Sequence, residues 1–338
     1  MTELTNKQIR LASRPSGWVT EENFKLTEEA VPEPADGEVL VRNVFMSVDP
    51  YMRSRMNDVK SYVPPFQIGE VLQASAVGQV VESRFEGIDK GDYVTGMLGW
   101  ENYSVCDGRT LRKVHPGLAP LSYHLGILGM PGMTAYVGLM TIAEAKSGER
   151  VFVTAASGAV GSVVGQLAKI HGCHVVGSAG SDEKVRLLMD EFGYDDGFNY
   201  RDSTSLADSV RESCHGGIDV LFENVGGEIF EAALWNMREF GRIALCGMIS
   251  NYNDAEPQPG PRGMPLIIGR RLTIRGFIVS DHPEACQEYV VKAVKWLEDG
   301  KLKYKETIAE GIENAPRAFI DMLQGKNVGK QIVQLDDS

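Results

Sequence analysis

The sequence lacks the cysteine patterns that mark a disulfide framework or a cysteine-rich zinc lobe. Its five cysteines are an odd number at wide and irregular spacings, and no Cys-x-x-Cys occurs. The first eight residues, Met-Thr-Glu-Leu-Thr-Asn-Lys-Gln, also lack the apolar core of a secretory signal peptide. We therefore expect reduced thiols in a cytoplasmic protein.

The sequence also has no excess of basic residues and no long, uninterrupted apolar run. Acidic residues outnumber basic ones by 46 to 34, which gives a formal charge of −12. A surface of this sign repels nucleic acid and anionic membranes, so neither is an expected partner. Residues 116–143 contain no Asp, Glu, Lys or Arg, but Pro120, Pro131 and several glycines interrupt the stretch. It predicts two short buried helices rather than a membrane span.

Strand patterns dominate the first third of the 338-residue chain, which is long enough for two domains. Residues 38–48 are rich in β-branched and aromatic side chains. Four shorter apolar runs follow, separated by Gly, Asp and Asn: residues 76–83, 92–97, 100–105 and 111–115. Many short strands at close spacing predict a β-barrel or a sandwich.

The pattern changes near residue 150 to alternating strands and helices. The predicted strands are residues 150–155, 173–178, 218–223, 242–246 and 272–279, and the predicted helices are 160–170, 184–192, 230–240 and 284–297. This alternation predicts an α/β fold with a parallel, doubly wound sheet. A helix at 316–323 and a strand at 330–335 should return to the first domain, and the Pro-rich segment 253–265 is predicted to be a surface loop.

The strongest motif lies at the start of this second region. Ala155-x-x-Gly158-x-x-Gly161 follows a predicted strand, and the apolar face of a helix begins at once. Glycines at such positions let the backbone approach a pyrophosphate, whose charge lies at the helix N-terminus. We expect Gly158, Ala159, Val160 and Gly161 to bind a dinucleotide, although Ala155 stands where the commoner pattern has glycine.

The end of the next strand indicates which dinucleotide binds. NAD-binding domains place Asp or Glu there, on the ribose 2′-hydroxyl. Here the strand ends in small residues, and Asp182 and Glu183 follow as first-turn residues of a helix, where negative charge suits the helix dipole. Lys184 would then face a 2′-phosphate, which predicts NADP(H) as the cofactor. The alternative is a solvated surface lysine.

Zinc-dependent alcohol dehydrogenases share this two-domain plan, so zinc ligands would be expected in the corresponding segments of this sequence. No Cys-His pair occurs in Asp49-Pro-Tyr-Met-Arg53, and no His stands between Gly69 and Glu70. The six histidines are scattered, and none forms a ligand cluster with a cysteine. We expect no metal.

Several motifs together resemble the zinc-free medium-chain dehydrogenase/reductases that saturate enone double bonds, the group of leukotriene/prostaglandin reductases, alkenal double-bond reductases and curcumin reductase. The resemblance covers nearly the whole chain. Its motifs are Val48-Asp-Pro-Tyr-Met-Arg53, Leu128-Gly-Met-Pro-Gly-Met-Thr-Ala-Tyr136, Ala155-Ala-Ser-Gly-Ala-Val-Gly161, Glu223-Asn-Val-Gly-Gly227, Cys246-Gly-Met-Ile-Ser-Asn-Tyr252 and Gly325-Lys-Asn-Val-Gly-Lys330. Leu11-Ala-Ser-Arg-Pro15 and Ser61-Tyr-Val-Pro-Pro65 resemble the curcumin-reductase branch most.

The resemblance implies a GroES-like β-barrel substrate domain over residues 1–124, completed by 301–338, and a Rossmann NADP-binding domain over 125–300. It implies that Lys184 and Tyr200 contact the adenosine phosphate end of the cofactor. The residues implied to line the path to the nicotinamide are Asn224, Cys246, Gly247, Met248, Ile249, Ser250, Asn251, Tyr252, Phe277, Ile278, Val279 and Asn327. The alternative for Asn224 is that it caps a turn, and the alternative for Phe277 is that it is a core residue.

The implied activity is NADPH-dependent reduction of the C=C bond of α,β-unsaturated ketones or aldehydes. Tyr51, Tyr62 and Tyr252 would face the substrate, with an enolate stabilised by tyrosine and ribose hydroxyls. For Tyr252 the alternative is packing that anchors the Pro-rich loop. A quinone oxidoreductase of the same superfamily and a non-catalytic NADPH-binding protein are the competing functions. Family likeness also favours a homodimer with a small-molecule substrate.

Overall fold

A computed structural model describes residues 5–256 and 258–335. The chain divides into two units. Unit 1 comprises residues up to 125, residues 306–327 and the chain from 331 onward. Unit 2 comprises residues 126–305 and 328–330.

The described chain contains fifteen strands and nine α-helices. The strands are β1 Thr5–Leu11, β2 Phe24–Ala30, β3 Glu38–Ser47, β4 Gln73–Ser83, β5 Tyr93–Gly99, β6 Tyr103–Asp107, β7 Arg112–Val114, β8 Arg150–Val153, β9 His174–Ala179, β10 Asp196–Asn199, β11 Ile218–Glu223, β12 Met237–Leu245, β13 Thr273–Gly276, β14 Glu306–Glu310 and β15 Lys330–Gln334. The helices are α1 Tyr51–Arg55, α2 Met130–Tyr136, α3 Gly161–Ile170, α4 Asp182–Asp190, α5 Leu206–Ser213, α6 Gly227–Asn236, α7 Pro265–Arg270, α8 Pro283–Glu298 and α9 Ala315–Leu323.

Unit 1 is built on antiparallel strands. Its seven-stranded sheet has the order β14-β15-β3-β4-β5-β7, with β6 paired to β3, and β1 pairs with β2. The tail enters this sheet because β15 pairs with β3 from Ile332 to Gln334. Trp100, which is fully buried, stacks on Phe24 and meets Phe319 of α9 edge-on. The aromatic contacts thus pack the tail helix into the core of this unit.

Unit 2 contains a six-stranded parallel sheet of order β10-β9-β8-β11-β12-β13. The chain runs outward from β8 to one edge and then outward from β11 to the other, so the strand order reverses between β8 and β11. In doubly wound sheets ligands bind at the carboxyl ends of the strands at this reversal. The predicted fold class, a β-rich domain with a doubly wound parallel sheet, is confirmed.

One predicted helix is too long. Residues 230–240 were expected to be helical, but α6 ends at Asn236 and β12 begins at Met237. Arg270 explains the stop, because its guanidinium donates to the carbonyls of Leu234, Trp235 and Met237 and satisfies the end of the helix. Phe240 then adopts a left-handed backbone with φ 62°, which no helix continues.

Other predicted boundaries shift by a few residues. β13 ends at Gly276 rather than continuing to Val279, which opens a short 3-10 turn. In the uncharged stretch 116–143 a 3-10 turn, α2 and a π-helical turn occur. None of the helices in the described part of the chain combines the length and apolar character needed to span a bilayer. Of the Pro-rich segment, Pro257 lies outside the described residues, while residues 258–264 form no regular element.

Candidate active site

The glycine-rich loop after β8 is shaped by backbone geometry. Ala155 adopts a left-handed conformation with φ 49°, which explains why glycine is the commoner residue at this position. A Cβ added to Gly161 would lie 2.4 Å from the Ala155 carbonyl oxygen and 2.8 Å from Ala156 Cα, so this position admits no side chain. The loop therefore passes directly under the start of α3, where backbone N–H groups can hold a phosphate.

Two residues outside the predicted set fix this loop. The buried Tyr194 hydroxyl donates to the Gly161 carbonyl at 2.7 Å. The Gly329 amide donates to the Ser157 carbonyl at 2.8 Å, and Gly329 forms a parallel bridge with Gly158. Gly329 belongs to a motif that carried the resemblance, but Tyr194 lies in no motif that sequence reasoning could recognise.

Two cationic side chains follow the carboxyl ends of β9 and β10: Lys184 comes after β9 and Arg201 after β10. Ser181 caps α4 by accepting from the Lys184 amide, which places the Lys184 side chain on the first turn. Arg201 lies over the Tyr200 ring at 5.8 Å. Burial and then the positive charge of Arg201 lower the pKa of the Lys184 ammonium. Two neighbouring cations of this kind suit an anion such as a 2′-phosphate, and Arg201 was missed although it directly follows Tyr200.

Asn224 lies at the end of β11, in a network that joins this strand to β8. The Asn224 amide donates to Thr154 Oγ1 at 2.8 Å, and its side-chain Nδ2 donates to the Thr154 carbonyl at 2.7 Å. Thr154 Oγ1 in turn donates to Glu223 Oε1 at 3.1 Å. The Asn224 side chain thus joins the two strand ends at the point where the strand order reverses.

Glu223 was not predicted as a site residue, yet it is the acceptor at the centre of this network. Its Oε1 also accepts from the amides of Val225 and Gly226, at 2.6 and 2.7 Å. Its Oε2 has no hydrogen-bond partner among the described residues, and the side chain is fully buried. Burial raises the pKa of the Glu223 carboxyl to about 7, although these hydrogen bonds act to lower it.

The segment from Cys246 to Tyr252 packs against the same strand end. The amides of Cys246 and Gly247 donate to the Glu223 carbonyl, and Ser250 donates through its amide and hydroxyl to the Val225 carbonyl. These bonds bring the predicted residues Gly247, Met248, Ile249, Ser250 and Asn251 beside Asn224.

Tyr252 is the last residue of this segment. Its hydroxyl accepts from the Met248 amide at 3.4 Å. Burial raises the pKa of the Tyr252 hydroxyl above its usual value, so the group stays protonated at neutral pH. Burial also raises the pKa of the neighbouring Cys246 thiol to about 12, so this cysteine is not a thiolate nucleophile.

The remaining predicted residues divide between the two units. Phe277, Ile278 and Val279 follow β13 in unit 2, and Phe277 meets the fully buried Phe222 edge-on at 6.5 Å. Phe277 thus contacts the core of unit 2, and its place beside the nicotinamide stays a prediction. Tyr51, Tyr62 and Asn327 belong to unit 1, where Tyr51 opens α1 and Tyr62 is 63% exposed.

Two family models match the chain, and relatives match along almost its full length. The models are described as the N-terminal domain of oxidoreductase, over residues 7–114, and zinc-binding dehydrogenase, over residues 159–297. An NADP-dependent 2-alkenal reductase of Nicotiana tabacum is 44% identical over 98% of both chains. The NADPH-dependent curcumin reductase of Escherichia coli is 42% identical over 98% of this chain and 97% of its own.

A solved structure agrees with these relatives. CurA from Vibrio vulnificus, in complex with NADPH, is 42% identical with a TM-score of 0.93 and covers 98% of this chain and 100% of its own. The chain belongs to the medium-chain dehydrogenase/reductase family. The resemblance drawn from its motifs is thereby confirmed.

The description of the second family model mentions zinc, but this medium-chain dehydrogenase/reductase has no matching set of ligands among its described residues. Within residues 5–256 and 258–335, no group of three or more His, Cys, Asp or Glu side chains is arranged to hold a metal ion. The donor set of the described residues does not fit zinc. The absence of zinc from the protein stays a prediction.

Proposed function

We propose that this protein reduces the C=C bond of α,β-unsaturated ketones or aldehydes with NADPH. The observation that carries the proposal is the row of cofactor-compatible groups along the carboxyl edge of the unit 2 sheet. The substrate class is supported by the relatives named for alkenal and curcumin reduction. Unit 1 would serve as the substrate domain and unit 2 as the NADP-binding domain.

The cofactor has matching groups along this edge. The loop from Gly158 to Gly161 would hold the pyrophosphate, because its backbone N–H groups lie at the start of α3, where Gly161 leaves no room for a side chain. Lys184 and Arg201 would bind the 2′-phosphate, which an NAD molecule lacks. Asn224 and the segment 246–252 would border the nicotinamide half.

When bound, NADPH supplies a hydride for the β-carbon of the enone, and negative charge then develops on the carbonyl oxygen of the substrate. Tyr252 would meet this charge. Its hydroxyl oxygen accepts from the Met248 amide, so its own proton remains for donation to the substrate. The high pKa of the Tyr252 hydroxyl keeps that proton in place at neutral pH. The ribose hydroxyl of the cofactor would be a second donor, and Tyr51 and Tyr62 would orient the substrate.

The test is absorbance of reduced nicotinamide during incubation with an enone, with a quinone and without substrate. We expect NADPH consumption with the enone. Loss of one oxyanion donor typically costs about 100- to 1,000-fold in turnover, which the ribose hydroxyl would reduce, so Tyr252→Phe should lower kcat for the enone at least about tenfold. NADPH affinity should stay near that of the wild type. Oxidation of saturated alcohols without enone reduction would contradict the proposal, and parental turnover of Tyr252→Phe would exclude Tyr252 as the donor.

We also propose a homodimer formed through the edge of the unit 2 sheet. β13 is an edge strand of that sheet, and such an edge invites pairing with a second copy. Trp235, Phe240 and Ile268 of the same unit are 51%, 66% and 83% exposed, and an interface at this edge would remove these large apolar side chains from water. The molar mass by light scattering should be twice that of one chain, and Ile268→Asp should reduce it to that of a monomer.

A cytoplasmic location is proposed as well. All five cysteines of the chain are free, which suits a reducing compartment.

A further inference from the structure

Thr154 lies where the backbone hydrogen bonds between β8 and β11 end. It is fully buried, and its amide donates to the Phe222 carbonyl at 3.2 Å. In a regular parallel ladder the next bond would join the Asn224 amide to the Thr154 carbonyl. Here the Asn224 amide donates to Thr154 Oγ1 instead, at 2.8 Å, and Asn224 Nδ2 donates to the carbonyl at 2.7 Å. Thr154 thus holds Asn224 at two points where a regular strand would hold it at one.

The hydrogen bonds around the Thr154 hydroxyl have a defined direction. A backbone N–H only donates, so Thr154 Oγ1 is the acceptor in its bond with Asn224. The hydroxyl proton is left for the acceptors on the other side, Glu223 Oε1 at 3.1 Å and the Phe222 carbonyl at 3.5 Å. Glu223 Oε1 is itself held by two backbone amides of the turn that follows β11. Buried groups therefore fix the hydroxyl that holds Asn224.

The same contacts fix the orientation of the Asn224 carboxamide. A carbonyl only accepts, so Nδ2 rather than Oδ1 must face the Thr154 carbonyl. Within residues 5–256 and 258–335, no group donates a hydrogen bond to Asn224 Oδ1. The side chain is half-buried, so a ligand can reach this oxygen. Asn224 Oδ1 is therefore an acceptor whose direction is set before any ligand binds.

Asn224 connects two segments of unit 2 that are assigned to the cofactor. Thr154 directly precedes Ala155, where the glycine-rich loop turns with φ 49°. The Asn224 carbonyl accepts from the Ile249 amide at 3.2 Å, within the segment 246–252. In doubly wound sheets ligands bind at this edge, where the strand order reverses. The nicotinamide riboside of NADPH offers hydrogen-bond donors, its ribose hydroxyls and its carboxamide NH2 group.

We propose that Thr154 is a positioning residue for the cofactor: it holds the Asn224 carboxamide so that Oδ1 accepts a hydrogen bond from the nicotinamide riboside of NADPH. Without the hold of Thr154, the carboxamide could rotate and present Nδ2, which cannot pair with a donor. The inference rests on the proposed use of NADPH, but it concerns unit 2 alone and its test needs no enone.

The test compares the Kd of NADPH with the Kd of two of its fragments, measured by isothermal titration calorimetry. Adenosine 2′,5′-bisphosphate lacks the whole nicotinamide riboside, and 2′-phospho-ADP-ribose lacks only the nicotinamide. Asn224→Leu removes the acceptor, so it should weaken NADPH binding roughly tenfold and change bisphosphate binding by less than about twofold. Thr154→Val removes the hydroxyl and keeps the shape of the side chain, so it should weaken NADPH binding at least about threefold with the same selectivity.

The phospho-ADP-ribose measurement identifies the donor. If Asn224→Leu weakens this fragment as much as NADPH, the donor is a ribose hydroxyl. If it weakens NADPH alone, the donor is the carboxamide NH2 group. Either result supports the inference, because both donors meet the same acceptor.

Three further variants separate positioning from general damage to the fold. Thr154→Ser keeps the hydroxyl and should bind NADPH as the wild type does. In the Asn224→Leu background, Thr154→Val should weaken NADPH binding by less than about a further twofold, since the acceptor that it positions is already absent. Lys184→Ala is the matched control at the phosphate end, and it should weaken NADPH and both fragments alike. If Thr154→Val does not fold, Thr154→Ala takes its place with the same expected selectivity.

The outcomes separate this inference from the proposed function. Loss of NADPH affinity in Thr154→Val without loss of bisphosphate affinity supports the inference. Equal losses for both ligands, or unchanged NADPH affinity, overturn the role of Thr154 and leave the proposed function intact. A wild-type protein that does not bind NADPH overturns both.

Discussion

The buried carboxyl of Glu223 should make the stability of unit 2 depend on pH. The side chain is fully buried, and only Oε1 has partners in the described structure: the amides of Val225 and Gly226 and the hydroxyl of Thr154. The titratable group that interacts with it is the Cys246 thiol. Replacing Glu223 with Gln keeps an oxygen acceptor for these donors and removes the ionisation.

The sign and size follow from the pKa of this carboxyl. Burial raises the pKa from 4.5 to about 7 in the folded protein. Between these pH values the unfolded chain has lost a proton that the folded chain still holds, so raising the pH favours unfolding. Since one pH unit corresponds to about 1.4 kcal/mol, the wild type should lose on the order of 3 kcal/mol relative to Glu223→Gln across this window.

The assay is urea unfolding of both proteins at a series of pH values from about 5 to about 8, compared as the difference in unfolding free energy. All other titratable groups are the same in the two proteins, so their contributions cancel in this difference in unfolding free energy. The buried amide nitrogen of Gln adds an offset that does not depend on pH. Wild-type stability should decline relative to Glu223→Gln until about pH 7 and then level off. A flat difference, or one that changes in the opposite direction, would refute the assignment of a protonated carboxyl to residue 223.

Two further predictions concern the cofactor and the metal. Lys184→Ala should weaken NADPH binding roughly 10- to 100-fold, because it removes a charge-assisted hydrogen bond to the 2′-phosphate, while NADH binding should hardly change. Fluorescence titration measures both affinities, and an equal loss would make Lys184 a structural residue. The purified protein should contain far less than one zinc ion per chain, and chelators should leave its fold and activity intact. Stoichiometric zinc that survives dialysis, measured by atomic emission, would contradict the prediction of a zinc-free protein.

The doubly wound sheet could be predicted because its signals are local. The strand over residues 218–223 was predicted with the bounds that the structure shows, and α3 differs from its prediction by one residue. Apolar periodicity marks such buried elements directly. The strands β1 and β2 were not predicted, because β2 is largely exposed and its sequence, Phe-Lys-Leu-Thr-Glu-Glu-Ala, carries little apolar pattern.

The parts of the candidate site that escaped prediction depend on contacts between distant segments. Tyr194 reaches Gly161 across 33 positions, and Gly329 reaches Ser157 from the far end of the chain. A single sequence holds no record of such contacts.

The motif Glu223-Asn-Val-Gly-Gly227 illustrates how a site motif can work through its backbone. Gly226 and Gly227 both adopt left-handed backbones, with φ 80° and 56°, and this sharp turn starts α6. The turn directs the amides of Val225 and Gly226 inward, where they would be buried without partners if Glu223 Oε1 did not accept both. A Cβ at either glycine would lie close to the Ser250 hydroxyl, at 3.1 and 3.2 Å. The motif therefore requires these residue types because they let the segment 246–252, which ends at Tyr252, pack against the end of β11 beside Asn224.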